Sequence, residues 1–218
     1  MARRVQRPAL FAALVTAAAL GGAAAVLAPL HLQQRIALGP QVVAVDAAEL
    51  EQALEDSPWF AFEPGEEPAV WLLSAPACAP CRRDEAAVLK MVQGVGGELR
   101  VLVAAPRGAS DAEASLAAEF ARRRDGAAFA AWRLEPDAPL RIPVGVSDVD
   151  VGSAAVEGYA EWGRASFDRI AAVVARNDTA LEAPTVFWRR GQEWRMAVSP
   201  AADDLEALRQ DLEAQAAG

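Results

Sequence analysis

Histidine, lysine and cysteine are scarce in this 218-residue chain: His31 and Lys90 stand alone, and Cys78 and Cys81 are the two cysteines. One histidine close to the N-terminus leaves none for a Ser/His/Asp or Cys/His catalytic arrangement in the rest of the chain. A structural zinc site takes four ligands, mainly Cys and His. One cysteine pair and a distant His31 do not supply them, so no metal is expected. Positive charge is short as well: 21 Lys and Arg face 30 Asp and Glu, for a net charge of −9. No basic run occurs beyond the extreme N-terminus, and nucleic acid, which needs a basic stripe, is excluded as a partner. The glycine-rich stretch at 94–97 follows a helical pattern instead of opening one, so it reads as a helix stop and not as a phosphate loop. Internal repeats are absent. Any chemistry involving cysteine must be that of a single pair.

Charge is also missing from Pro8 to Gln34, and residues 9–30 are nearly all apolar. The apolar part of a cleaved signal peptide runs to about 7–15 residues, whereas crossing a bilayer takes about 20. Arg3, Arg4 and Arg7 precede the segment, which puts the N-terminus in the cytoplasm and the remainder outside. Residues 1–34 therefore read as a single-pass signal-anchor in the inner membrane. The alternative is a signal peptide cut near Ala25 or Ala28, leaving a secreted periplasmic protein. Either way the rest of the chain lies where disulfides persist. Residues 35–41 read as a linker and 42–218 as one folded domain.

Along that domain, 42–45 suggest a strand. Asp46 with Glu49 suggests a capping box opening a helix to about Leu54. Residues 63–68 read as an acidic loop. A short apolar run at 69–74 reads as a buried strand, and Ala75-Pro76-Ala77-Cys78-Ala79-Pro80-Cys81 follows it directly. Next comes a helix with Ala86, Val88, Leu89, Val92 and Val95 as its apolar stripe, then a second buried strand at 99–105. Residues 111–177 read as a helical insert broken by the prolines between 136 and 143. Residues 185–188 and 194–198 flank Arg190-Gly191 as a hairpin. Ser199, with Pro200 after it, suggests the start of a last helix to about Ala216. The six tryptophans read mostly as packing, with Trp188 and Trp194 as cross-strand neighbours in the hairpin. Strand–helix–strand at the start with a hairpin and helix at the end predicts an α/β domain with a mixed sheet.

Two cysteines two residues apart at a helix start have a specific chemistry. The first sits where unpaired N–H groups and the helix dipole favour negative charge, so its thiol ionises more readily. The second lies one turn on, turned inward, within reach of a mixed disulfide formed by the first. Cys78 is thus the expected nucleophile and Cys81 the expected resolving thiol. Ala79 and Pro80 form the redox loop between them, Pro80 falling in the first helical turn, where its missing N–H costs nothing. Arg82 and Arg83 follow at once. The bland reading of the pair is an inert structural disulfide.

The stretch from Leu73 to Met91 resembles the redox turn and following helix of the thioredoxin superfamily. Ala183-Pro184-Thr185-Val186 is similar to that superfamily's proline loop. The resemblance implies a thioredoxin-like fold over residues 42–216, with Pro184 cis and Ala183 offering its backbone to substrate. The insert and the finish look most like exported disulfide-bond proteins of the DsbA, DsbC and DsbG type. Anchored reductases of the TlpA type, serving cytochrome or metal-site maturation, are the competing likeness. A thioredoxin-like binding module with a static bridge is the non-enzymatic one. There are departures. Ala77 stands where thioredoxins usually carry an aromatic residue, and no acid occurs at Trp71-Leu72-Leu73, where many relatives bury one. Little room remains ahead of the domain for a dimerisation module. The implied activity is protein thiol–disulfide exchange without a cofactor, with protein thiols or disulfides as substrates and a membrane redox partner.

Overall fold

The computed structural model describes residues 39–62, 65–134 and 154–217. The expected membrane segment, the start of the linker and the proline-punctuated break at 136–143 lie outside the described residues. Among those described, no helix is long and apolar enough to cross a membrane.

Strand β1 (Gln41–Val42) leads into helix α1 (Ala47–Glu55), and β2 (Phe60–Ala61) precedes β3 (Glu66–Ser74). Helix α2 (Ala79–Gly94) carries the cysteine motif and returns to β4 (Gly97–Val103). Helices α3 (Asp111–Arg123), α4 (Gly126–Leu134) and α5 (Ala154–Arg176) follow. The chain closes with β5 (Thr185–Arg190), β6 (Glu193–Val198) and α6 (Ala202–Ala216). The six strands form one sheet in the order β1-β6-β5-β3-β4-β2. Only β3 and β4 run parallel, joined by α2 as the crossover; every other pairing is antiparallel. A mixed six-stranded sheet with helices on both sides, built on strand–helix–strand plus hairpin–helix, fits a thioredoxin-like fold.

Strand β3 is the centre because both of its faces are apolar. Side chains alternate across a strand, so Val70 and Leu72 enter one core while Ala69, Trp71 and Leu73 enter the other. The first core is closed by Val88 and Val92 of α2, Leu116 and Phe120 of α3, Phe129 of α4, and Leu208 and Leu212 of α6. Its aromatic part is edge-on, with Phe129 at 5.2 Å from Phe120 and 5.4 Å from Phe60 between ring centres, a favoured geometry for paired rings. The second core is closed by Leu50 and Leu54 of α1 and by Ile170, Val173 and Val174 of α5.

Several local expectations are corrected. The first strand stops at Val42 instead of reaching residue 45, because Asn177 Oδ1 accepts from the N–H groups of Ala44 (3.0 Å) and Val45 (2.9 Å) and draws the chain off the sheet. Asp46 forms no capping box. It sits at φ 56° with no side-chain cap, and Arg176 takes the carboxylates of both Asp46 (2.5 Å) and Glu49 (2.6 Å). The acidic stretch is not all loop: β3 begins at Glu66, which pairs with Gly97. The second buried strand starts two residues earlier than expected and ends at Val103. Ser199 does not cap the last helix; it lies at φ 48° and its N–H donates to the Pro184 carbonyl at 2.7 Å. Asp204 instead accepts from the Ala201 N–H at 2.9 Å. Trp188 pairs across the hairpin with Arg195, and Trp194 with Arg189. The two tryptophans therefore face opposite sides, Trp188 in the first core and Trp194 in the second.

Candidate functional site

Strand β3 ends at Ser74, and the chain turns through Ala75–Ala77 before α2 begins. Cys78 is the N-cap of α2, with φ −79° and ψ 97°, and a proline stands in the first turn at Pro80. The turn is held by the Cys78 N–H donating to the Ala75 carbonyl at 3.1 Å. Cys78 and Cys81 are joined by a disulfide, their Cα atoms 5.3 Å apart. The two sulfurs live in different surroundings. Cys81 is 0% exposed, and Cys78 is half-buried. The Cys81 N–H donates to the Cys78 sulfur at 3.1 Å, so this sulfur takes the place an N-cap oxygen usually fills.

The proline loop comes to the same spot from the far side of the insert. The Ala183–Pro184 peptide bond is cis. The Ala183 carbonyl oxygen lies 3.4 Å from the Cys78 sulfur. Two bonds fix the loop: Thr185 Oγ1 donates to the Glu182 carbonyl at 2.5 Å, and the Ser199 N–H donates to the Pro184 carbonyl at 2.7 Å. The fold thus brings Cys78, Cys81, Ala183 and Pro184 together. Ala79 and Pro80 form the first helical residues between the cysteines.

Reading the sequence alone passes over a buried acid. Glu85 is 7% exposed and accepts a hydrogen bond from Ser74 Oγ, while Asp84 beside it is 6% exposed. The inward stripe of α2 is Cys81, Asp84, Glu85, Val88 and Val92, with Ala86 turned outward. The signal was available as helical spacing from Cys81. Glu85 and Arg82 border an otherwise apolar cavity of about 280 Å³ whose walls include Leu72, Leu89 and Phe129. Among the described residues no group of His, Cys, Asp or Glu is placed to hold a metal ion.

No protein-family model matches the chain, and no curated protein matches it. Among solved structures, it is similar to Proteus mirabilis ScsC in a transitional conformation, with 14% identity, 95% of this chain and 94% of that chain covered, and a TM-score of 0.47. It is also similar to Salmonella enterica Typhimurium BcfH, with 14% identity, 94% of each chain covered and a TM-score of 0.45. At this level the likenesses carry no argument about function, which has to come from the site itself.

Proposed function

We propose that this chain is a thiol–disulfide oxidoreductase acting on protein thiols and disulfides outside the cytoplasm. The observation that supports it most is the inequality of the two sulfurs: one half-buried at a helix N-cap, the other wholly buried a turn later. A purely structural bridge has no need of such a difference. Exchange chemistry does, because one thiol must meet the client and the other must wait.

In the reducing direction the Cys78 thiolate attacks a client disulfide. A bond forms from Cys78 to one client sulfur, and the other client sulfur leaves as thiolate. Cys81 then gives up its proton and attacks Cys78, the mixed disulfide breaks, and the client departs with two electrons while the pair is oxidised. The oxidising direction is the reverse. Backbone N–H groups at the start of α2 stabilise the Cys78 thiolate. The loop at Ala183 and Pro184, beside Cys78, offers main-chain groups to an extended client segment. Nothing in the cycle calls for a cofactor. Residues 9–30 tether the domain on the periplasmic side of the inner membrane, where a membrane redox partner resets the pair.

The test is client capture. With Cys81→Ser, mixed disulfides between Cys78 and periplasmic proteins accumulate and disappear on reduction; Cys78→Ser abolishes them. If Cys81→Ser collects none, and the potential of the pair lies below about −300 mV as for structural bridges, the bridge is static and the proposal falls.

A further inference from the structure

We propose that a polar cavity at the far end of the sheet from the cysteines binds a neutral, polyhydroxylated ligand of monosaccharide size. This site goes beyond the exchange chemistry and does not depend on it.

The cavity, of about 290 Å³, lies on the second face of the sheet. Trp71 of β3 and Trp194 of β6 form its floor, in edge contact with their ring centres 5.4 Å apart. Gly191 at its rim is the hairpin turn, whereas Pro184 begins the other end of the same hairpin, beside Cys78. An occupant here leaves the redox pair open to clients.

Two donors lining the cavity have no hydrogen-bond partner among the described residues. Trp71 is 5% exposed, and its Nε1 is buried and unbonded; Arg189 Nε is buried and unbonded as well. A buried N–H left unmade is costly, and native folds rarely leave one so. Whatever fills the cavity must therefore bring acceptors. Yet the carboxylates of Glu51, Glu55 and Glu67 line the same space, and they call for donors.

That combination sorts the ligand classes. An anion meets three carboxylates, and the two guanidiniums that would attract it are already engaged: Arg189 with Glu51 at 2.5 Å, Arg100 with Glu55 at 2.7 Å and with Glu98 at 2.5 Å. A cation accepts nothing from an N–H. The indoles already carry cations, too, with the Arg100 guanidinium 4.5 Å from the Trp71 ring centre and that of Arg189 5.1 Å from the Trp194 ring centre. An apolar ligand leaves both donors unmet. A hydroxyl answers both demands, because its oxygen accepts from an N–H while its hydrogen donates to a carboxylate. Single waters make these bonds one at a time. A sugar ring makes several at once from a rigid frame and releases the waters it replaces.

The test reads the indole N–H resonances of the full chain, isotope-labelled at tryptophan and held in a detergent without a sugar head group. Glucose, galactose and N-acetylglucosamine are titrated in turn at millimolar concentrations, with putrescine as an amine and acetate as an anion for comparison. At least one sugar shifts the Trp71 resonance, assigned by its loss in Trp71→Phe. The Trp188 resonance, whose N–H is bonded to Asp211 in the other core, stays in place. Followed at Trp194, the affinity falls about fivefold in Trp71→Phe, the worth of one hydrogen bond. It falls also in Glu67→Gln, an exposed change that keeps an acceptor for the Ala69 N–H. If no sugar moves the Trp71 resonance, water fills the cavity and the proposal is overturned. Binding of putrescine or acetate in place of the sugars overturns it too, as does unchanged sugar affinity in both variants.

Discussion

The sulfur of Cys78 and the carbonyl oxygen of Ala183 lie 3.4 Å apart, although 105 residues separate them in sequence. The helical insert is looped out between them, and the sheet register returns the chain: Leu73 pairs with Thr185, so the residues just beyond each strand end meet at one edge of the fold.

Unequal exposure of the two sulfurs predicts unequal reactivity. In the reduced protein at neutral pH, iodoacetamide modifies Cys78 and spares Cys81 until the chain is unfolded in denaturant. Peptide mass spectrometry after brief labelling checks it, and equal labelling in the folded state contradicts it.

Thr185 is wholly buried and its hydroxyl donates to the Glu182 carbonyl. Thr185→Val keeps the shape and removes the bond, leaving that carbonyl without the donor. A loss of about 1 kcal/mol is expected, read as a lower urea midpoint with an unchanged slope. Client capture by the Cys81→Ser background should weaken in the same variant, because the loop beside Cys78 is no longer pinned.

Asp211 ties the last helix to the hairpin. It accepts from Trp188 Nε1 at 2.9 Å and pairs with Arg195 at 3.3 Å and Arg190 at 3.5 Å. Asp211→Ala strands the indole N–H in the first core, at a cost of about 2–3 kcal/mol. Asp211→Asn retains an acceptor for Trp188 and loses less. Denaturant unfolding of the two variants ranks them.

Glu119 gives the chain an acid sensitivity. Its side chain is 2% exposed and accepts from Arg122 at 2.7 Å and from Arg123. Burial is the largest single influence and opposes ionisation, but the hydrogen bonds and charges of the two guanidiniums together outweigh it and hold the carboxyl below its ordinary value of 4.5. A carboxyl depressed on folding contributes stability that is complete above its unfolded value and drains away as pH falls through the lower folded value. The thermal midpoint of wild type should therefore drop below pH about 4.5 more steeply than that of Glu119→Gln, which is less stable at neutral pH.

Residues 9–30 predict the location. The full chain should remain with membranes after an alkaline carbonate wash, with an intact mass counted from Met1. A soluble product starting near residue 26 or 29 would show a cleaved signal peptide in its place.

Elements written in local pattern were legible. The apolar run before Cys78, the two-residue spacing and the hairpin glycine are all short-range signals, and β3, α2, β5 and β6 stand where those signals put them. What escaped notice was decided by partners far along the chain. Asp46 and Glu49 look like a capping box until Arg176 arrives, 127 residues after Glu49. The strand that starts at Gln41 ends early because a single oxygen, Asn177 Oδ1, accepts from both the Ala44 and the Val45 N–H. Parity misled for the tryptophans: the hairpin register, set by the turn at Gly191, puts Trp188 and Trp194 on opposite faces. Glu85 was hidden by its company: it closes a run of four charged residues, Arg82-Arg83-Asp84-Glu85, and nothing local marks Asp84 and Glu85 as the buried ones.

The Cys81 N–H bonded to the Cys78 sulfur has a wider meaning. An oxidised sulfur is a weak acceptor and a thiolate a strong one, so the helix start is better satisfied once the bridge opens. Folding stability and appetite for electrons are then coupled: any substitution that improves the fit of those first-turn N–H groups to a negative sulfur makes the reduced protein harder to unfold and the oxidised protein readier to pass its disulfide on.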